Sequence, residues 1–82
     1  MITFDKWDEL ANKKCMAVIE HVLFDEQQYE CEALQIINDE ERIGVVIKGR
    51  EIYMYKDYVR VFIVQESSCM VSDNMMTITI CK

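Results

Sequence analysis

The sequence predicts a mainly β domain, in which one short N-terminal helix precedes a meander of five to seven short antiparallel strands. Three observations support this fold class. Apolar residues change from helical spacing to alternation after about residue 14, turn-forming residues recur about every 8 to 12 positions, and proline is absent. A chain of 82 residues is too short to form two stable cores, so residues 1–82 are expected to form a single domain.

The first segment predicts a helix at about residues 4–13. Its apolar residues recur every three or four positions, as expected for one buried stripe: Phe4, Trp7, Leu10 and Ala11. Acids near its start suit the helix dipole. Thr3 is the expected N-cap, and Asn12 with the two lysines that follow it favours an end to the helix.

Two strand segments are predicted next. Residues 15–24 are largely apolar on both alternating sides, which also permits a buried helix, but their β-branched residues and the polar break at residues 25–27 favour a central strand. Residues 29–37 alternate and then change parity near Ala33, which predicts a bulge or a strong bend. A polar loop is predicted at residues 38–42.

Four further strand signals complete the predicted meander. Their sequences are RIGVVIK, EIYMYK, YVRVFIVQ and MTITIC, with a short CMV between the last two. In so short a chain, the strands would close most economically into a small barrel or form a strongly curved sheet, with the helix over one open end. Closure would protect MMTITI, a flat and uncharged segment, and if closure is incomplete this segment is expected to pair as an edge with another subunit.

Charge is unevenly distributed along the chain. Residues 1–42 hold 11 acids and 4 bases, a net charge of −7, and residues 43–82 hold 4 acids and 5 bases, a net charge of +1. The total of −6 argues against nucleic-acid or membrane binding, because both need a basic surface. No apolar run reaches the roughly 18 to 20 residues of a membrane span, and the acidic start is unlike a secretory signal. We therefore expect a cytoplasmic protein.

No motif predicts catalysis, a metal site or a cofactor site. The four cysteines contain no CxxC pair and are expected to be reduced apolar fillers: Cys15, Cys31, Cys69 and Cys81. His21 lies in an apolar run without an acidic partner on its strand face, which predicts a structural role. The paired acids lie in predicted loops or on exposed faces, and two glycines leave no phosphate-binding loop. The sequence therefore predicts no enzyme.

The candidate binding residues form two groups. The first combines bases with tyrosines, a pattern that can contact protein or single-stranded nucleic acid: Lys48, Arg50, Tyr53, Tyr55 and Arg60. The tyrosines can equally be half-buried under the N-terminal helix. The second group is acidic and would dock against the bases of another copy: Glu30, Glu32, Asp39, Glu40 and Glu41.

The segment IKGREI at residues 47–52 resembles the second signature of the Sm-like RNA-binding proteins, in which an apolar residue, a base, a glycine, two variable positions and an apolar residue follow one another. The order of a helix followed by bent strands is similar to that family too. This resemblance implies a small SH3/Sm-like barrel that binds RNA. The first signature of the family has no counterpart in residues 22–37.

The leading hypothesis for function is a non-catalytic protein-interaction domain that assembles with itself. The acidic half of one copy would face the bases of the next, and the MMTITI edge would contribute to the contact. One alternative is an acidic inhibitor or nucleic-acid mimic that binds a basic partner. The other is a small Sm-like RNA-binding barrel that uses the bases and tyrosines.

Overall fold

The computed structural model describes residues 3–82 and shows a mainly β protein with two antiparallel sheets. The chain begins with a 3-10 helix, η1 (Asp5–Leu10), and the strands β1 (Cys15–His21) and β2 (Phe24–Cys31). It continues through β3 (Gln35–Asn38), β4 (Arg42–Ile47), β5 (Arg50–Tyr55) and a 3-10 helix, η2 (Lys56–Tyr58). The last strands are β6 (Val61–Val64), β7 (Ser68–Ser72) and β8 (Met76–Cys81).

The strands divide between a five-stranded sheet and a three-stranded sheet. Their orders are β2-β1-β8-β7-β6 and β3-β4-β5, and every neighbouring pair is antiparallel. The mainly β, antiparallel class is thus confirmed. The predicted closed barrel is not formed by residues 3–82, since β2 does not pair with β3 and β5 does not pair with β6. Residues 3–82 form eight strands instead of five to seven, because the two strands predicted at residues 15–24 and 29–37 are three strands in the structure.

The boundaries of these three strands explain most of the difference from the predicted meander. Residues 15–24 contain β1 and only the first residue of β2, because Val22 and Leu23 form a hairpin turn between the paired residues His21 and Phe24. Because both turn residues are apolar, the sequence has no polar break at this position. The predicted bend near Ala33 is present, and it is the crossing from one sheet to the other and not a bulge within one strand. The predicted polar loop is confirmed as the β3–β4 turn.

The helix η1 is shorter than predicted and of a different type. It is a 3-10 helix that begins after Phe4, and no side chain caps it, so the N-cap prediction for Thr3 is wrong. Trp7 and Leu10 are both buried, because residues three apart share one side of a helix with about three residues per turn. Asn12, with φ of 64°, lies in the turn that follows. No helix of residues 3–82 has the length and apolar character to cross a membrane.

The core lies between the two sheets, and it includes side chains of η1. The most deeply buried side chains come from η1 and from both sheets: Trp7, Leu10, Leu34, Ile43, Val45, Val71, Ile78 and Ile80. The indole Nε1 of Trp7 donates a buried hydrogen bond of 2.9 Å to the carbonyl oxygen of Gly44 on β4. Asn38 on β3 donates to the carbonyl oxygen of Phe4 at 3.1 Å and to Asp8 at 2.9 Å. These bonds attach η1 to the three-stranded sheet.

We expect Gly44→Ala to lower the free energy of unfolding by about 3 kcal/mol or more, because overpacking against a rigid neighbour is costly. An added Cβ would overlap the carbonyl oxygen of Ile52 and lie 2.5 Å from the Cα of Tyr53, so β5 would have to move. Urea denaturation followed by circular dichroism measures the loss.

The matched control is Gly49→Ala, because an added Cβ at Gly49 meets nothing within 4 Å. Its φ of 77° still makes a side chain unfavourable, at a cost of about 1 to 2 kcal/mol. Equal losses for the two variants would show that close approach of β4 and β5 does not decide stability.

Candidate functional site

The predicted bases do not lie on one surface with the predicted tyrosines. Lys48 occupies the β4–β5 turn, with its Nζ 5.8 Å from the ring centroid of Tyr29 on the other sheet. Arg50 lines the same shallow hollow beside Tyr29. Arg60 lies elsewhere, exposed between η2 and β6, where its backbone N–H donates to the carbonyl oxygen of Ser72. The structure therefore brings Lys48 and Arg50 together and leaves Arg60 apart.

The two predicted tyrosines face outward from the three-stranded sheet. Alternation along β5 puts Tyr53 and Tyr55 opposite to the buried Met54, so they face away from the core. Their rings make an edge contact with centroids 5.7 Å apart. The same alternation puts Arg50 on the other side of β5. The combination of Lys48 and Arg50 with both tyrosines, which an RNA site of the predicted kind would use, is not assembled on one face.

The tyrosines instead accompany Arg42, which sequence reasoning did not select. The guanidinium Cζ of Arg42 lies 4.8 Å from the ring centroid of Tyr53. Its Nε is 2.9 Å from Asp39 and its Nη1 is 3.5 Å from Glu51. Because Arg42 already neighbours the carboxylates of Asp39 and Glu51, we assign it a structural role on this face. Only the register that pairs Arg42 with Tyr55 across β4 and β5 shows this role.

The predicted acids are also divided. Glu30 lies exposed on β2 and Glu32 follows that strand, while the acids at positions 39–41 form the β3–β4 turn in the other sheet. Asp39 Oδ1 accepts the backbone N–H groups of Glu41 at 2.9 Å and Arg42 at 2.7 Å. These backbone hydrogen bonds, aided by the Arg42 side chain, lower the pKa of Asp39. Asp39 therefore closes a turn, and only Glu40 and Glu41 extend freely there.

The cysteines and the histidine form no catalytic arrangement in the described residues. Cys15 and Cys31 are register partners on β1 and β2 and share one side of the sheet. Burial, followed by the neighbouring thiol of Cys31, raises the pKa of Cys15 to about 11. The Nδ1 of His21 accepts the N–H of Leu23 at 3.1 Å, which orders the β1–β2 turn. No group of three or more His, Cys, Asp or Glu within residues 3–82 is placed to hold a metal ion.

The outward side of β6, β7 and β8 carries no charged residue, and we call it the uncharged face. The strand registers align its residues in three rows: Val61, Ser72 and Thr77; Ile63, Met70 and Thr79; Ser68 and Cys81. The rows continue onto β1 at Met16 and Val18, and acids return at Glu20. An exposed, uncharged area of this kind is typical of a surface that contacts another protein.

The strand β6 ends the sheet beside the uncharged face, and its sequence VFIV has no charge. It pairs with β7 alone among residues 3–82. The N–H of Gln65 donates to the carbonyl oxygen of Ser68, so alternate residues of β6 bond to β7 and the backbone groups of Phe62 and Val64 point toward the open edge. Val64 is 48% exposed and Ile63 is 42% exposed.

The other sheet edges carry the features that normally prevent edge pairing. The strand β2 has Asp25, Glu26 and Glu30, and β5 has Arg50 and Glu51. The strand β3 packs against η1. Among the strands that the structure describes, β6 is therefore the edge that another chain can join most readily.

The predicted edge at MMTITI is wrong, because β8 lies between β1 and β7 in the middle of its sheet. The missed edge was part of the predicted strand YVRVFIVQ. Its uncharged run was visible in the sequence, but which strand ends a sheet depends on pairing between distant parts of the chain.

Comparisons with protein-family models, with curated proteins and with solved structures found no match to this chain. The protein is therefore classified by its fold and its uncharged face alone. It is a small antiparallel β protein of two sheets, with an uncharged face that runs to an open edge.

We expect iodoacetamide at pH 8 to label Cys81 before Cys15. Cys81 is exposed, whereas Cys15 is buried and its pKa of about 11 leaves a thiolate fraction of about one in a thousand at that pH. Mass spectrometry of timed digests measures the order. In urea all four cysteines should react at similar rates, and equal rates in the native protein would contradict the burial of Cys15.

Proposed function

We propose that this protein is a non-catalytic protein-interaction domain that associates with a second copy through the free edge of β6. The observation that supports this most directly is the uncharged VFIV edge beside the uncharged face. Addition of a strand to an open sheet edge is a common mode of protein recognition, since backbone hydrogen bonds supply the contact.

Two copies of β6 can pair about a two-fold axis. In an antiparallel pair, the backbone groups of Phe62 and Val64 would bond to those of the other copy. The two five-stranded sheets would then become one continuous sheet, in which each β6 has a neighbour on both sides. Val61 and Ile63 of the two copies would lie side by side on the uncharged face. Such a contact uses the same surface twice and therefore closes as a dimer.

The charge of the protein supports this location for the contact. Each copy carries a net charge of −6, so most faces of two copies repel one another. The uncharged face and the edge of β6 are where this repulsion is smallest. Salt should therefore strengthen the dimer by screening the remaining repulsion. Docking of the acidic half onto Lys48, Arg50 and Arg60 would show the opposite dependence.

The interface is small, and this sets the expected affinity. Four residues of paired edge bury much less than the roughly 800 Å² per partner of a standard stable interface. Apolar side chains beside the edge add area without charge desolvation. We therefore expect association that depends on protein concentration, with a dissociation constant of about 1 to 100 μM.

We also propose a cytoplasmic location. The four cysteines are free thiols, which suits a reducing compartment. The RNA-binding alternative has less support than self-association, because Arg50 lies on the opposite side of β5 from Tyr53 and Tyr55.

We expect Ile63→Lys to raise the dimer dissociation constant by at least about tenfold, because a lysine in the paired edge would bring like charges together. The side chain is partly exposed, so the fold should persist. Sedimentation equilibrium at several concentrations, at low and at high salt, measures the change.

The matched control is Gln28→Lys, which places the same charge on the exposed edge strand β2. Its dissociation constant should stay within about twofold of the parent value. A double reversal, Lys48→Glu with Arg50→Glu, tests docking through charge; at high salt, where the added repulsion is screened, it should leave the β6 dimer intact. A protein that stays monomeric at all concentrations, or a dimer unaffected by Ile63→Lys, would rule out the proposal.

A further inference from the structure

Four large apolar side chains are exposed where the β1–β2 and β7–β8 turns meet. Val22, Leu23, Phe24 and Met75 are 64%, 72%, 67% and 46% exposed, and we call them the apolar tip. The N–H of Val22 donates to the carbonyl oxygen of Met75 at 2.9 Å, so the two turns form one surface. Exposure of so much apolar area in adjacent turns marks a contact surface, since single exposed apolar residues are scattered in ordinary proteins.

The turns that carry the apolar tip are held by their own hydrogen bonds. The ring of His21 accepts the N–H of Leu23 and lies 5.0 Å from the ring of Phe24. On the other turn, Asp73 Oδ1 accepts the N–H groups of Met75 and Met76, both at 2.8 Å. A surface held in this way loses little conformational freedom on binding, which favours affinity.

Acidic residues lie on one side of the apolar tip, next to Val22 and Met75. Two shallow hollows beside it, of about 330 and 250 Å³, are lined by Glu20, Glu51 and Asp73, and no lysine or arginine lines either hollow. Arg42 lies 3.5 Å from Glu51, but within residues 3–82 neither Glu20 nor Asp73 takes part in a salt bridge. The surface thus combines an apolar tip with negative charge along one margin, which we call the acidic rim.

We propose that the apolar tip binds a basic amphipathic segment of a partner protein. Apolar side chains of that segment would pack on Leu23 and Phe24, while its lysines or arginines would face Glu20 and Asp73. A second copy of this chain carries the same acidic rim and would be repelled there, and so would an anionic lipid surface. This site is separate from the β6 edge and does not rest on the proposed dimer.

The probe is a fluorescein-labelled leucine-lysine peptide of about 14 residues that is amphipathic when helical. Two control peptides have the same length: one carries glutamate in place of lysine, and one has the same composition in a scrambled, non-amphipathic order. Fluorescence anisotropy at physiological salt measures binding. We expect the amphipathic basic peptide to bind at least about tenfold more tightly than either control.

The decisive variant combines Leu23→Ser with Phe24→Ser, which should weaken binding by at least about tenfold. Glu20→Gln should weaken it by about two- to threefold, since it removes one charge from the rim. The matched control is Val64→Ser, because Val64 is also an exposed aliphatic residue but lies at the opposite end of the sheet. Val64→Ser should leave peptide binding unchanged, and Ile63→Lys tests the dimer, so the two proposals can fail separately.

Unchanged binding by the double variant, or equal binding of the scrambled peptide, would overturn the proposal in favour of general attraction between charges. Binding of the parent protein to vesicles of neutral lipid, lost in the double variant and without peptide binding, would overturn it in favour of a membrane contact. If the double variant does not fold, peptide-induced NMR shifts in the parent protein decide. Shifts at residues 20–25 and 73–76 are expected, and shifts confined to other regions would overturn the proposal.

Discussion

The rest of the structure depends on the burial of Trp7 between the two sheets. Its indole donates to the carbonyl oxygen of Gly44, and its ring lies 6.4 Å from that of Phe62 on β6. The helix η1 is too short to be stable alone, so this contact holds it in place. Phe4 adds an edge contact with Phe62 at 5.1 Å. One aromatic cluster thus joins η1, the three-stranded sheet and the last strand of the five-stranded sheet.

This cluster also explains how β6 can be ordered with a single strand partner. Phe62 is held from the core side by Phe4 and Trp7, while Val61 and Ile63 point outward. The strand therefore keeps its shape without a second neighbour, and its open edge remains accessible. An edge that is ordered in advance costs less entropy to pair than one that must first become ordered.

Charge separates the two surfaces proposed for binding. The β6 edge and the uncharged face offer contact without repulsion, which suits a second copy of an acidic chain. The apolar tip lies beside Glu20, Glu51 and Asp73, which suits a basic partner and disfavours a copy. On these two proposals, the same excess of acids would direct different partners to different parts of one small sheet.

The sequence by itself determined the local properties of this protein. Alternation and turn residues identified an antiparallel β class, the spacing of Trp7 and Leu10 identified a buried helical stripe, and alternation put Tyr53 opposite Met54. Only the tertiary structure decided which strand ends a sheet. The pairing of Ala17 with Ile80, for example, joins the first strand to the last and puts β8 in the middle of its sheet. Periodicity reports which side of a strand meets the core, because burial acts on each residue locally. Strand order depends on contacts between distant residues and leaves no periodic signal in either partner.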